Sequence, residues 1–405
     1  GGRVHLTGEL SNDSGKAPFG IYDAAGKKAD ITLTNMMAQE LRIFISGIGS
    51  FTDDLKNKTE IQLKKSDLTA AGEYTDPAPA FANVIYNPEE NEEINLIMKG
   101  IGLLSKLLIK ATNLVVNQIQ AEGMQVHLTG KNIEVKGLVQ AKEIIIEASE
   151  NDTLLDIGVP DEVNNLIEID KSLSVSTMDV LTSSKIVIGK DASLQADGNV
   201  TLNASGSQKN NLVPSIINVK IGNVKIDILG SITAGGAVTA SATSEFDAKA
   251  DNKHLAEYFV PLAISVVVAE SKVNVGEGAV ITANGDIKLS SRSDVKLKTI
   301  STVGSIPISL ALSVIVNDSH VEVLGTLIST GGNVTMEAEG NTTVITKSSK
   351  TAPQTSENAV NPQNPSSSTP TGIGSIANQF GGFFAVAVVL QDVDAALKGN
   401  GRIEA

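Results

Sequence analysis

The chain has no cysteine and no tryptophan, and aromatic side chains make up only 3% of its 405 residues. Without thiols there are no disulfides, no Cys-ligated zinc and no thiol nucleophile. With so few rings, a core must be filled by Val, Ile, Leu and Ala, which suit narrow stacked strands. Sugar-binding grooves usually present rings, and here only Tyr22, Tyr74, Tyr86 and Tyr258 provide a phenol. No apolar run reaches the ~18 residues of a membrane-spanning helix, and no leader with a basic start and an apolar middle opens the chain. It starts at Gly1-Gly2 and stops at Gly401-Arg402-Ile403-Glu404-Ala405, within what reads as another repeat, so a piece of a longer protein is expected. Positive charge is also short: 32 Lys and Arg against 46 Asp and Glu leave a net charge of −14. That balance makes nucleic acid a poor partner. It fits a solvated acidic surface, with weak Ca²⁺ binding as the sharper alternative.

What the chain does have is repetition. Val-Lys-Ile-Asp-Ile-Leu-Gly…Thr-Ala-Gly-Gly-Ala-Val-Thr-Ala (224–240), Val-Asn-Val-Gly-Glu-Gly…Thr-Ala-Asn-Gly-Asp-Ile-Lys-Leu (273–289) and Val-Glu-Val-Leu-Gly…Ser-Thr-Gly-Gly-Asn-Val-Thr-Met (321–336) align without gaps in their motifs. Val224, Val273 and Val321 step by 49 and 48, and Pro214, Pro261 and Pro307 by 47 and 46. A period of about 47 residues means a solenoid, a propeller or an array, whose units bury apolar surface against their neighbours. Propeller blades usually carry an aromatic signature, absent here, and a closed ring tolerates drifting unit length poorly. Within each unit, period-2 segments such as Val334-Thr335-Met336-Glu337-Ala338 read as strands with one polar face. Gly331-Gly332 is expected to supply a positive-φ corner. Strand, corner, strand, corner predicts a right-handed parallel β-helix, an all-β solenoid, with about two coils per unit of this length.

The same grammar gives the domain layout. Val126-His127-Leu128-Thr129-Gly130 echoes Val4-His5-Leu6-Thr7-Gly8, so coils are expected over 1–50 and again over 123–349. Residues 51–122 are expected as an insertion. Within it, 52–93 carries Pro77, Pro79 and Pro88 and reads as a polar excursion. Residues 94–120 place Asn95, Lys99, Lys106, Lys110, Asn113, Asn117 and Gln120 on one stripe opposite Ile97, Ile101, Leu104, Leu108, Ala111, Val115 and Ile119. That pattern predicts an amphipathic helix, whose plain role is to shield a strand edge rather than to touch a membrane. A Pro- and Ser-rich stretch over 350–377 reads as a loop insertion, after which a coil resumes over 378–405.

Candidate chemistry is sparse. His5, His127, His254 and His320 are far apart, with no His-x-x-x-His spacing, and read as structural or surface residues. Asp227, Glu277, Asp286, Asp318 and Glu322 are single acids; only Asp53-Asp54 and Asp392-Val393-Asp394 pair up. Gly235-Gly236 and Gly331-Gly332 lack the Gly-x-Asp that follows in Ca²⁺-binding nonapeptides. Sequons such as Asn199-Val200-Thr201 and Asn333-Val334-Thr335 are expected by chance in so Asn- and Thr-rich a chain. No catalytic, cofactor-binding or metal residue is assigned.

The phrases at 273–289 and 321–338, with the apolar runs Leu262 to Val268, Ile308 to Val316 and Phe383 to Leu390, resemble units of large repetitive bacterial surface proteins. The nearest group is the filamentous haemagglutinin-like and leukotoxin-like filamentous adhesins. The resemblance covers about 180–349 and 380–405, and more weakly 1–50 and 123–180. It implies a secreted or cell-surface adhesin section, a rigid solenoid that presents loops to a surface glycan or protein of host or microbial cells. It brings no catalytic residues with it. Two other readings stay open: a β-helical polysaccharide lyase or epimerase, and a structural protein that self-associates along the solenoid into a filament.

Overall fold

The computed structural model describes residues 60–75, 82–89, 92–99, 105–151, 155–157, 177–208, 217–252, 262–303, 308–350 and 382–405. The chain divides into two compact units, Gly1–Glu60 and Ile61–Ala405, and the described strands belong to the second but for their first residue. The expected coils over 1–50, the Pro-rich loop after residue 350 and the pair Asp53-Asp54 lie outside the described residues.

The described strands stack in parallel into three sheets. Sheet I holds β9 (Thr177–Ile188), β12 (Ile217–Ile228), β15 (Leu262–Val275), β18 (Ser309–Val323) and β21 (Phe383–Leu397). Sheet II holds β2 (Glu73–Tyr74), β4 (Glu93–Met98), β10 (Ser193–Ala196), β13 (Ser231–Ala234), β16 (Val280–Ala283), β19 (Thr326–Ser329) and β22 (Arg402–Glu404). Sheet III holds β3 (Asn83–Tyr86), β5 (Lys106–Lys110), β11 (Val200–Gln208), β14 (Val238–Asp251), β17 (Ile287–Val303) and β20 (Val334–Lys350). The long β6 (Asn113–Gly130) and β7 (Asn132–Asn151) bend through all three sheets. Each circuit from I to II to III is one coil of a β-solenoid. Against this parallel stack, β8 (Leu155–Ile157) pairs antiparallel on β9.

The register sets the coil length. Val273 pairs with Ile226 below it and Val321 above it, at separations of 47 and 48 residues. One repeat is therefore one coil, not the expected two. The reason is strand length: β14, β15, β17 and β18 run 14 to 17 residues, so one circuit uses the whole repeat. The earlier coils are shorter, Asn113 pairing with Asn132 only 19 residues on.

The helix predicted over 94–120 does not form. Its described residues are strands β4, β5 and β6, with Ile94, Leu96, Leu107, Ile109, Leu114, Val116 and Ile119 buried. The misleading three- and four-residue spacing comes from corners and bulges. Register shifts between Val116 and Gln118 and between Ala121 and Gln125 reset a period-2 pattern to odd steps. The polar excursion, described from residue 60, likewise holds β1 (Glu60–Leu63), β2 and β3, with Leu63, Val84 and Tyr86 in the core. Among the described residues the only helical turn is a 3₁₀ turn at Lys65–Asp67.

Inward side chains form two cores. The larger fills the prism enclosed by the three sheets, from Leu63 to Leu327. In the long coils sheets I and III extend past the prism and face each other as a flange, with a second core of Phe246, Ala248, Val267, Ala269, Val295, Leu297 and Ile315. Between the two cores runs a seam of small polar residues. Ser319 Oγ bonds to Ser291 Oγ at 2.9 Å, Ser291 Oγ donates to Ser271 O at 2.7 Å, and Ser271 Oγ donates to Ala242 O at 2.8 Å. Small hydroxyls let the sheets approach, and in these three bonds they satisfy one another, whereas Ser184 Oγ in the same column is buried without a partner among the described residues.

The corners between sheets II and III explain the glycine pairs. Among the described glycines only Gly72, Gly123, Gly278 and Gly399 have positive φ, so the expected left-handed corner at Gly331-Gly332 is not the device. The device is close approach. Asn199 Oδ1 accepts from Ala237 N of the next coil at 2.8 Å, and Asp286 Oδ1 accepts from Asn333 N at 2.7 Å. A Cβ on Gly236 would lie 2.2 Å from Asn199 Oδ1, and one on Gly332 2.5 Å from Asp286 Oδ1. A carboxylate or amide on one coil thus requires glycine on the next.

In the long coils connection length varies widely on one edge only. Sheet I reaches sheet II, and sheet II reaches sheet III, by two to four residues in every long coil. Sheet III returns to sheet I through 209–216, 252–261, 304–308 and 351–382.

Candidate functional site

The residues singled out by sequence do not converge. His127 Nε2 lies 2.8 Å from Glu147 Oε2 on sheet III, and His320 Nε2 lies 3.9 Å from Asp392 Oδ2 on sheet I; His5 and His254 lie outside the described residues. Asp227 accepts from Asn274 Nδ2 at 3.2 Å and pairs with Lys225 at 3.2 Å. Asp286 and Asn199 serve the corners. Glu277 is exposed at a turn. Tyr74 and Tyr86 are buried in the core rather than lining a groove; Tyr22 and Tyr258 are not described. Among the described residues no group of three His, Asp or Glu is placed to hold a metal ion.

What the fold does assemble is a patterned face. Because sheet I is in register, its outward residues form columns that cross β12, β15, β18 and β21. Ile217, Ile264, Leu312 and Val386 make one column; Val219, Val266, Val314 and Val388 the next; Ile221, Val268, Val316 and Leu390 a third. Leu262, Leu310 and Phe384 add a fourth on their outer side. The next columns along the strands are Asn223, Glu270, Asp318 and Asp392, and then Lys225, Lys272, His320 and Asp394.

Stacking like charges on successive coils is unfavourable, and the neighbouring columns compensate. Lys272 Nζ lies 2.8 Å from Glu322 Oε2 and Lys398 Nζ 3.4 Å from Glu322 Oε1. The Lys272 hydrogen bond outweighs burial and, with Lys398, holds the Glu322 carboxyl below its ordinary value. At the other end of the stack, Tyr86 Oη donates to Glu92 Oε1 at 2.7 Å and Lys65 Nζ sits 3.2 Å from the same oxygen. Burial, and then the bond to Glu92, pushes the Tyr86 phenol well up. Burial alone would raise the Glu92 carboxyl, yet the bonds from Tyr86, the Glu89 amide and Lys65 bring it below its ordinary value.

The apolar columns were visible in the sequence as the runs Leu262 to Val268, Ile308 to Val316 and Phe383 to Leu390. A strand with one wet face alternates, whereas these do not, which marks strands apolar on both sides. Only the register shows that the runs stack into one surface. Comparison of the chain with family models, with curated proteins and with solved structures found no match.

Proposed function

We propose that this chain is a section of an extracellular bacterial surface protein of the filamentous haemagglutinin-like, leukotoxin-like adhesin type, a rigid β-solenoid that presents loops to a glycan or protein on another cell. The observation that carries the reading is the placement of length variation. Coil-to-coil register is kept across separations from 38 residues (Val200 to Val238) to 74 (Ser309 to Phe383), and most of the extra residues enter as longer flange strands and as longer connections where sheet III returns to sheet I. A scaffold that holds register while one edge varies freely is suited to contact made by loops.

The test is an array of glycans and matrix proteins, probed with and without Ca²⁺, using the chain and a variant with 352–380 replaced by a short turn. The expected result is binding by the chain, no cleavage of the bound sugar, and loss of binding in the variant with its β-rich circular dichroism intact. Cleavage products would replace this reading with a polysaccharide-active enzyme. Binding unchanged by the deletion would move the contact away from the longest connection.

A further inference from the structure

The flange is inside out along sheet I. Its inward positions on β15 and β18 are Ala263, Ser265, Val267 and Ala269, and Ser309, Ala311, Ser313, Ile315 and Asn317, all buried. The outward positions on β15 and β18 carry the larger aliphatic side chains and are partly exposed; β21, the last described rung, continues the columns with Phe384, Val386, Val388 and Leu390 and is exposed on both faces. The opposite outer surface, on sheet III, carries Asp247, Lys249 and Asp251 on β14 and Asp294, Lys296 and Lys298 on β17. Folding accounts for the small inner residues, since the two sheets must meet. It gives no reason for four aliphatic columns facing outward on one side of the flange and charges on the other.

We propose that the apolar columns of sheet I are an interface with a second copy of this chain, packed sheet to sheet. The inference is independent of the adhesive reading, because it uses the outer face of sheet I and not the connections that lead into it. Three features choose the occupant. The columns form a regular lattice with spacings of about 4.8 Å between coils and about 6.8 Å along strands, which an identical face matches. An anionic lipid surface is disfavoured by the acidic column Glu270, Asp318 and Asp392 beside the patch, and by the net charge of −14. Stacking on a sugar needs rings, and the patch holds one, Phe384.

Charge also selects the arrangement. A two-fold axis along the strands would set Glu270, Asp318 and Asp392 against their own copies. An axis parallel to the stack, between the columns of Val266 and Ile264, pairs only apolar columns and leaves the acids at the rim. Four coils by four columns cover roughly 500 Å² per copy, about 1,000 Å² in the pair, the lower bound for a specific interface. A weak, reversible dimer is the expected form.

Sedimentation of the whole chain across about 1 to 200 μM, the range where a small interface associates, tests this, with V266E/V314E as the variant. The expected result is a monomer–dimer equilibrium weakened about 100-fold or more by the paired buried charges, with circular dichroism and melting unchanged. A chain that stays monomeric throughout, or a folded variant that still dimerises, overturns the proposal. Should the variant fail to fold, V314C supplies the answer. The chain has no other cysteine, so a short bis-maleimide should join two copies at V314C and not at the control K296C on the charged side. Equal cross-linking at both sites overturns the proposal. So does a monomer that floats with neutral phosphatidylcholine vesicles, which would give the face to lipid.

Discussion

At Gly222 a methyl group would stand 1.9 Å from Phe246 Cζ, because the only ring of the flange core lies over this residue. Gly222→Ala should cost about 1–3 kcal/mol through overpacking, and Phe246→Ala about 3–5 kcal/mol through the cavity it leaves. The double variant should melt well above the point that adding the two losses gives; strict additivity would mean that the ring moves aside freely. Neither residue stands out in the sequence, since Gly222 falls in a column otherwise holding Thr182, Ala269, Asn317 and Gln391 and its reason is a side chain on another sheet. Acid should act through Glu92 and Glu322. Both carboxyls are held below their ordinary value of 4.5, so their stabilisation is fully present above that pH and is lost as pH falls through the lower, folded values. Urea midpoints measured from pH 6 down to pH 2 should therefore drop, and Glu322→Gln should flatten part of that drop. A drop of unchanged size in Glu322→Gln would remove this carboxyl from the account.

The elements of the long coils are legible from alternation, and those of the short coils are not. In β17 buried and outward residues alternate without a break, and the sequence shows it in Val295-Lys296-Leu297-Lys298. In β4 to β6 apolar residues lie on both faces and corners interrupt the parity, so a stripe of outward residues imitates a helix. The polar seam was hidden for the opposite reason: a serine in a strand reads as an outward residue until the facing sheet is known. Ser291→Ala should expose the seam's role. It leaves the buried Ser319 hydroxyl without its partner, at a cost of about 1–3 kcal/mol. The same change at Ser290, whose side chain points outward from β17, should shift the melting point little. Equal effects at the two positions would mean that backbone pairing alone holds the seam.

Across the whole described stack, sheet II counts nine rungs, β2, β4, β6, β7, β10, β13, β16, β19 and β22, a rise of about 38 Å over eight steps. Each rung is supported only by its neighbours, so amide exchange should be slowest in the middle, at β11 to β17, and fastest at β21 and β22. Uniform protection along the stack would point to a globally cooperative unit instead. The solenoid itself was legible because the repeat is covalent information; the number of coils per repeat was not, because it depends on how long each strand runs before it turns. The corner chemistry has a further consequence for how such a chain lengthens. Asn199 clamps the coil above it and Asp286 does the same, whereas the coil between carries Gly235-Gly236-Ala237 and has no clamp to offer. Removing the coil of Asp286 would set Gly235-Gly236-Ala237 directly beneath Gly331-Gly332-Asn333 and leave the Asn333 amide without its acceptor, whereas removing the coil of Gly235-Gly236-Ala237 would set Asn199 beneath Gly285-Asp286 and keep a clamp. Removing two neighbouring coils would restore an Asx beneath a glycine pair. Inheritance in this stack should then depend on which turn is lost or copied: a coil that carries a clamp is costly to delete alone, and an unclamped coil is the one whose gain or loss its descendants should tolerate.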